Sequence, residues 1–254
     1  MENKVALVTG SAKGLGKKTA LALAELGCNV VVNFVHSKTE ADDLVKVIKD
    51  MGVKSTAIQA DVSKFEQLQN MILQIEEQFS GVDILVNNAG PYIHERKLFY
   101  DYSLEEMNYL VHGNFLSVMQ LDHLVLPNMR KKKWGRIIHF GFGLAAESRG
   151  WPHRAVYAAA KVGLVSFTKT LSVEEAEYGI TVNMICPGDI RGQNKEKEIK
   201  DVETVYDEKS PRGRSGTGED VSRVITFLCQ PQSDFITGNI MDISGGLDPI
   251  RPFR

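Results

Sequence analysis

Tyr157 and Lys161 stand four residues apart in the run AVYAAAK, a spacing that brings two side chains onto one face of a helix. A free phenol holds its proton with a pKa of about 10, too tightly for easy transfer near neutral pH. A lysine ammonium one turn away favours the phenolate and lowers that pKa. Such a pair can give a proton to the oxygen of a carbonyl group that accepts a hydride. We therefore take Tyr157 and Lys161 as candidate catalytic residues.

A second candidate site is the run TGSAKGLG at residues 9–16, which follows an apolar segment and opens a helical pattern. Glycines at such a turn let the backbone approach a pyrophosphate, and the next helix offers free N–H groups and a positive dipole end. The run therefore predicts dinucleotide binding. The residues expected to contact the cofactor here are Gly10, Ser11, Lys13, Gly14, Leu15 and Gly16.

These candidate residues fall in a regular alternation of strands and helices. The first half predicts strands at KVALVTG, NVVVNF, STAIQADV and VDILVNNAG, with helices between them. The second half predicts one long helix over 104–130, strands at GRIIHF and ITVNMICPG, a helix that carries Tyr157, a helix at GEDVSRVITFLCQ and a last strand near GNIMDISGG. Apolar strands that alternate with helices indicate a parallel sheet buried on both faces. The predicted fold class is α/β, a doubly wound Rossmann-type sheet.

The composition is that of one globular domain. The chain has 254 residues, of which 43% are apolar and 24% charged, and we expect a single domain over residues 1–254. A net charge of −2 argues against nucleic acid or an anionic membrane as a partner. Without a signal peptide or an apolar run near the ~18 residues that span a bilayer, a cytoplasmic location is expected.

Cysteine and histidine usage predicts no metal site. Cys28, Cys186 and Cys229 are far apart and odd in number, which indicates free buried thiols in a reducing compartment. The six histidines show no spacing typical of metal ligands.

The charged segment 189–215 is longer than most loops. It lies between a Pro-Gly turn and the last predicted helix, so it is either a poorly ordered stretch or a lid that closes over the candidate site, and we favour the lid.

Four motifs in order make the sequence resemble the short-chain dehydrogenase/reductase family over essentially its whole length. They are TGSAKGLG, NNAG at residues 87–90, YAAAK at residues 157–161 and PG at residues 187–188. Within that family the chain looks most like bacterial 3-oxoacyl-(acyl carrier protein) reductases. The resemblance implies a reductase acting on a small-molecule or thioester-bound carbonyl substrate, assembled as a homodimer or homotetramer.

The resemblance also assigns residues to the cofactor. Asp61 matches an acid that holds the adenine amino group, although DVSK precedes a helix and Asp61 can instead cap it. Pro187 and Gly188 match the turn against the nicotinamide, and Lys161 also binds the nicotinamide ribose. The implied contacts are Asp61, Val62, Asn87, Asn88, Ala89, Gly90, Tyr157, Lys161, Pro187, Gly188 and Ile190.

The second strand bears on the choice between NAD and NADP. Its end carries Asn33, where NAD-binding proteins place a carboxylate on the ribose 2′-hydroxyl. Lys13, His36, Ser37 and Lys38 provide donors for a 2′-phosphate, so NADP(H) is favoured, with Asn33, His36 and Ser37 among its contacts. If the cofactor is NAD, Lys13 is a solvated loop charge.

Two positions depart from the family pattern. A gap-free alignment puts Phe142 where the family has a catalytic serine, whereas counting back from Tyr157 reaches Leu144; neither side chain donates a hydrogen bond. The family asparagine falls on Leu110, with Asn114 one turn later on the same face. We expect a weak reductase. The alternative is a nucleotide-binding sensor or partner subunit without catalysis, which loss of the serine favours and retention of YAAAK opposes.

Overall fold

The computed structural model describes residues 1–250. One sheet of parallel strands runs through the molecule in the order β3-β2-β1-β4-β5-β6-β7. The strands are β1 Val5–Val8, β2 Asn29–Phe34, β3 Ser55–Gln59, β4 Ile84–Asn87, β5 Gly135–Phe140, β6 Ile180–Pro187 and β7 Ile240–Ile243. The strand order reverses between β1 and β4, which creates the crevice where such sheets bind ligands.

Seven α-helices are found within residues 1–250. They are α1 Gly14–Glu25, α2 Lys38–Asp50, α3 Phe65–Gln78, α4 Leu104–Val111, α5 Ser117–Lys132, α6 Ala155–Glu174 and α7 Gly218–Cys229. Two of them begin with a capping box that satisfies free N–H groups, at Ser103 with Glu106 and at Thr217 with Asp220. In this described part of the chain, no helix combines the length and the apolar character needed to cross a membrane.

Each face of the sheet buries its own apolar cluster. On one face, Leu23 of α1, Ile48 of α2 and Ile225 of α7 pack against strand residues such as Val8. On the other face, helices α3 and α5 cover the alternate strand residues, among them Leu7. Each fully buried aliphatic side chain contributes about 1.5–3 kcal/mol relative to exposure. These two layers of helices confirm the predicted doubly wound architecture.

The predicted long helix over 104–130 is interrupted. Residues His112–Leu116 form a π-helical turn between α4 and α5. Within it the Asn114 amide donates to the Leu110 carbonyl at 3.0 Å, and the Ser117 hydroxyl donates to the Gly113 carbonyl at 2.9 Å. Because a π turn holds more residues than an α turn, the side chains after it point in other directions than they would in a continuous α-helix.

The three cysteines are buried and free, as predicted. Burial raises the pKa of the Cys28 thiol to about 11 and that of the Cys186 thiol to about 12. Thiols in such surroundings stay protonated and unreactive at neutral pH.

Candidate active site

A cleft of about 990 Å³ opens beyond the carboxyl ends of the central strands. Its walls include predicted site residues from every motif, namely Leu15, Asn88, Gly90, Tyr157, Lys161, Pro187, Gly188 and Ile190. Parallel strands end at the same edge of a sheet, which is why motifs distant in sequence meet here. A pocket of about 430 Å³ shares Leu15 and Asn88 with the cleft and extends over the glycine-rich run.

Tyr157 and Lys161 face this cleft from α6. The Lys161 ammonium lies 6.0 Å from the centre of the Tyr157 ring, and Lys161 is only 4% exposed. Burial lowers the pKa of Lys161 to about 8, and within residues 1–250 no carboxylate forms an ion pair with it. Burial raises the pKa of the Tyr157 phenol above its ordinary value, so the lowering expected from the neighbouring ammonium is wrong for the protein without ligand: loss of solvent around the phenol dominates. Tyr157 therefore keeps its proton at neutral pH, as a proton donor must.

The structure places Phe142, and not Leu144, beside Tyr157. The Phe142 ring centre lies 4.8 Å from that of Trp151 and 6.2 Å from that of Tyr157. Leu144 has a left-handed backbone, and its N–H donates to Asp242 at 2.6 Å. Of the two residues proposed for the serine position, Phe142 lines the cleft and Leu144 does not, while the alignment itself stays a prediction.

Asn114, and not Leu110, lines the cleft. Leu110 packs in a separate apolar cluster with Tyr102 and Val156. The Asn114 side chain is 1% exposed and donates to the Pro91 carbonyl at 2.8 Å. Its Oδ1 atom is buried without a hydrogen-bond partner in the described chain, which leaves an acceptor free beside the cleft. The π turn that brings Asn114 here gives no signal in the sequence periodicity.

Tyr92 and Arg154 are cleft residues that the sequence analysis missed. The Arg154 Nε–H donates to the Tyr92 hydroxyl at 2.6 Å, across 62 positions of sequence. The Tyr92 ring meets the Tyr157 ring edge to face, with centres 5.0 Å apart. Only the position of Tyr92, two residues after the NNAG run, could have pointed to it.

Glycines are required at two points of the glycine-rich run. Gly10 has a φ of +61°, a backbone conformation that other residues rarely adopt. A Cβ atom added to Gly16 would lie 2.6 Å from the Gly10 carbonyl oxygen. Ser11 is fully buried, and its hydroxyl donates to the Val8 carbonyl at 2.7 Å, so that it braces the turn.

Asn33 supports this turn. Its side chain is 1% exposed, accepts the Gly10 N–H at 3.0 Å and donates to the Ala60 carbonyl at 2.9 Å. Both ends of the amide are therefore used inside the protein. Contact between Asn33 and a cofactor stays a prediction.

A carboxylate lies close to the donors expected for a 2′-phosphate. Lys13 forms an ion pair with Glu40 of α2 at 2.6 Å, and both side chains are well exposed. The hydrogen bond from Lys13 holds the pKa of Glu40 below its usual value. Ser37 precedes α2, and His36 is exposed. Exposed ion pairs are weak, so Lys13 remains available to a ligand phosphate.

The anion-binding end of α1 already carries a carboxylate. The Gly14 N–H donates to Glu196, from segment 189–215, at 2.7 Å. Part of this segment forms short 3₁₀ turns, at Gly192–Lys195 and Ile199–Asp201. The segment therefore contacts the glycine-rich run directly.

Asp61 shapes the entry to α3. Its carboxylate accepts the Ser63 N–H at 2.9 Å and the Ser63 hydroxyl at 2.8 Å. The N-cap of α3 is Lys64, so Asp61 forms a turn before the helix and does not cap it directly. Val62 belongs to the core, at 9% exposure. The adenine contact predicted for Asp61 stays a prediction.

The remaining motif residues join strand ends. The Asn88 amide donates to the Thr9 carbonyl, and the Thr9 hydroxyl accepts the Ala89 N–H, each at 2.9 Å. Asn87 is buried and donates to Asp122 at 2.8 Å, away from the cleft. Gly188 is packed so tightly that an added Cβ would lie 2.8 Å from the Cα of Ser244.

The chain resembles known oxidoreductases over nearly its full length. A family model described as Enoyl-(Acyl carrier protein) reductase matches residues 10–248. The "Putative oxidoreductase YtkK" of Bacillus subtilis is 44% identical over 246 residues, covering 96% of each chain. A 3-oxoacyl-[acyl-carrier-protein] reductase FabG of Staphylococcus epidermidis is 37% identical over 245 residues, covering 96% of this chain and 99% of the relative.

Solved structures share the fold. One described as a "putative 3-oxoacyl-reductase from Bacillus thuringiensis" has a TM-score of 0.92 and 44% identity, covering 98% of this chain and 99% of that one. An acetoin dehydrogenase, YohF from Salmonella typhimurium, has a TM-score of 0.87 and 28% identity, covering 96% of this chain and 95% of that one.

Proposed function

Since the chain belongs to the short-chain dehydrogenase/reductase family of oxidoreductases, we propose that it reduces a carbonyl group with NADPH, using Tyr157 and Lys161. The substrate we propose is a small or thioester-bound carbonyl compound of the 3-oxoacyl kind, because relatives carry that activity in their names. The observation that carries the proposal is the presence of Tyr157 and Lys161 in one cleft with the NNAG and PG residues.

The glycine-rich run fits a dinucleotide. The space above Gly16 is too narrow for a Cβ atom, and the Gly14 N–H already holds an anionic oxygen, that of Glu196. Both features suit a close approach of a pyrophosphate to the backbone at the start of α1. Lys13 and Gly14 would hold the phosphates, and Pro187 and Gly188 would border the nicotinamide.

In the proposed reaction, bound NADPH supplies the hydride that reduces the carbonyl carbon. The Tyr157 hydroxyl gives its proton to the carbonyl oxygen as negative charge develops there. The Lys161 ammonium, buried one turn away, stabilises the phenolate that remains on Tyr157. Solvent then returns a proton to Tyr157 after the product alcohol leaves.

The preference for NADPH over NADH follows from the charges near β2. Asn33 stands where a carboxylate would bind a ribose 2′-hydroxyl, and Lys13 is the basic residue of the glycine-rich run, with an exposed side chain. A 2′-phosphate would compete with Glu40 for Lys13.

Phe142 favours a second candidate function. A family serine at this position would donate a hydrogen bond to the substrate oxygen, and loss of one such donor typically costs about 10²–10³ in rate. Weak catalysis is compatible with that loss. A nucleotide-binding sensor or partner subunit without catalysis is the second candidate.

The deciding experiment measures NADPH oxidation with a panel of carbonyl compounds that includes short 3-oxoacyl thioesters. We expect slow turnover by the wild type and none by Tyr157→Phe, with equal NADPH affinity for both proteins. If the wild type binds NADPH but reduces no compound, the non-catalytic function replaces the reductase.

The assembly of the chain is a separate proposal. The family resemblance implies a homodimer or a homotetramer, and light scattering after size-exclusion chromatography would distinguish these from a monomer. We also propose that segment 189–215 is a lid over the cleft.

A further inference from the structure

The cleft lacks a donor at Phe142, and two other side chains near Tyr157 carry one. Trp151 has an indole N–H and Tyr92 has a hydroxyl; their ring centres lie 6.3 Å and 5.0 Å from that of Tyr157. Both line the cleft. They differ in what surrounds the donor, because only the Tyr92 hydroxyl contacts a buried cation, Arg154.

In the described part of the chain, the Tyr92 hydroxyl accepts a hydrogen bond but donates none. Arginine nitrogens only donate, so the 2.6 Å bond from Arg154 takes a lone pair of the Tyr92 oxygen and not its proton. Within residues 1–250 the Tyr92 hydroxyl donates to no acceptor. Tyr92 is 37% exposed on the cleft wall, so a ligand can reach it. A hydroxyl that accepts from a cation is also a stronger donor itself.

Arg154 is held rigidly in this position. Its other N–H groups donate to the backbone carbonyls of His94, Glu95 and His153 at 2.8–3.0 Å. The side chain is 9% exposed, and in the described chain no carboxylate pairs with it. Arg154 is also the N-cap of α6, the helix that carries Tyr157. One helix therefore fixes both phenols relative to each other.

On the basis of the proposed reductase function, we propose that Tyr92, oriented by Arg154, donates the hydrogen bond to the substrate carbonyl oxygen that a family serine would otherwise provide. Tyr92 keeps its proton throughout: the hydride goes to the carbonyl carbon and the proton comes from Tyr157. No carboxylate of the described chain neutralises the Arg154 guanidinium, so its positive charge stabilises the developing negative charge through the Tyr92 hydroxyl. Tyr92 is then a catalytic residue and Arg154 a positioning residue.

The test compares kcat of the full-length wild type and Tyr92→Phe for the best carbonyl substrate found. Phenylalanine retains the ring that packs on Tyr157 and removes only the hydroxyl. We expect kcat to fall roughly 10²-fold, with the NADPH Kd unchanged and Tm lowered by a few degrees, because the Arg154 Nε–H loses its acceptor. Tyr102→Phe is the matched control, because the Tyr102 hydroxyl bonds the His153 carbonyl at 3.3 Å and does not line the cleft. We expect that control to retain wild-type kcat.

A double variant tests whether Tyr92 replaces a serine. In the Phe142→Ser background a new hydroxyl can take over the role, so Tyr92→Phe should cost much less than in the wild type. Wild-type kcat in Tyr92→Phe, an equal fall in Tyr102→Phe, or a loss confined to Trp151→Phe each overturns the assignment of Tyr92 while leaving the reductase intact. Absence of reduction by the wild type overturns both proposals.

Discussion

The carboxylate of Glu196 lies against the N-terminus of α1, where it accepts the Gly14 N–H at 2.7 Å. Its second oxygen bonds the Lys17 ammonium, also at 2.7 Å. Burial alone would raise the pKa of Glu196, but the hydrogen bonds from Lys17 and Gly14 outweigh it and the net pKa is lowered. Glu196 is therefore ionised at neutral pH. It occupies the kind of position in which helix N-termini bind phosphate.

Glu196→Gln should tighten NADPH binding. The amide oxygen can still accept the Gly14 N–H, whereas the amide nitrogen cannot accept from Lys17, and the side chain carries no charge to compete with the cofactor phosphates. We expect the NADPH Kd to fall roughly 3- to 10-fold in a fluorescence titration. Glu198→Gln is the control, because Glu198 pairs with Lys18 and Lys200 and not with the glycine-rich run. An unchanged or weaker affinity in Glu196→Gln would show that this carboxylate does not oppose the cofactor.

Lys13→Ala should weaken NADPH more than NADH. Loss of one charge-assisted contact to the 2′-phosphate typically costs about 1–2 kcal/mol, or roughly 5- to 30-fold in Kd, while NADH has no such phosphate. Isothermal titration with both cofactors measures the difference. Lys46→Ala removes another exposed lysine that pairs with an acid, Asp43, and should change neither affinity. Equal losses for NADPH and NADH would remove Lys13 from the 2′-phosphate site.

Carbonyl reduction should weaken as the pH rises through about 8. Below this pKa the Lys161 ammonium is charged and supports the Tyr157 phenolate; above it the charge is lost, whereas Tyr157 still holds its proton. We expect kcat/KM at saturating NADPH to be flat from pH 6 to 7.5 and to fall above pH 8. If Lys161→Arg keeps residual activity, its kcat/KM should stay constant to a higher pH, because arginine remains charged. A wild-type kcat/KM that rises above pH 8 contradicts this role of the Lys161 charge.

The same lysine should reduce stability. Between the folded pKa of about 8 and the ordinary value of 10.5, the unfolded chain binds a proton that the folded chain does not, so stability rises with pH in that window. Below pH 8 the full cost of burying the charge is present. The free energy of unfolding of Lys161→Met should therefore be about 1–3 kcal/mol higher than that of the wild type at pH 7. The variant should also lack activity. That advantage should shrink towards pH 10.5 in urea titrations, and a less stable variant at pH 7 would contradict it.

The fold was predictable because its strands are rich in apolar residues and lack a regular alternation of polar and apolar residues. A run such as NVVVNF, with three consecutive valines, fits a strand covered on both sides, as β2 is. The π turn was not predictable, because it shifts the helix register without changing the apolar pattern; the side-chain bonds found there, such as that from the Asn114 amide to the Leu110 carbonyl, are not recorded in helical periodicity. A gap-free comparison therefore reached Leu110 when the cleft residue is Asn114.

Long-range polar contacts were also hidden. Arg154 and Tyr92 have ordinary surface chemistry in the sequence, and their bond appears only when α6 and the loop after β4 are side by side. For Asn33 the sequence position suggested a contact with the ligand. In the structure its amide bonds only protein groups that include the Gly10 N–H and the Ala60 carbonyl.

Phe142→Ser should raise turnover and lower stability. Phe142 is 6% exposed and packs on Trp151 and Tyr157, and truncation of such a ring typically costs about 3–5 kcal/mol. The new hydroxyl lies in the loop beside Tyr157, where it can donate to the substrate oxygen. With Tyr92 already donating, we expect kcat to rise by no more than about tenfold, measured well below the lowered Tm.

Leu144→Ser tests whether the position of the new hydroxyl matters. It adds the same group two residues later, where the Leu144 backbone bonds Asp242 and the side chain does not line the cleft. Its turnover should equal that of the wild type. A rise in Leu144→Ser without one in Phe142→Ser would mean that the loop moves when substrate binds and that Leu144 takes the serine position. If neither variant gains turnover while Tyr92→Phe loses it, the Tyr92 hydroxyl already provides the donor that the reaction needs, and Phe142 serves to pack Tyr157.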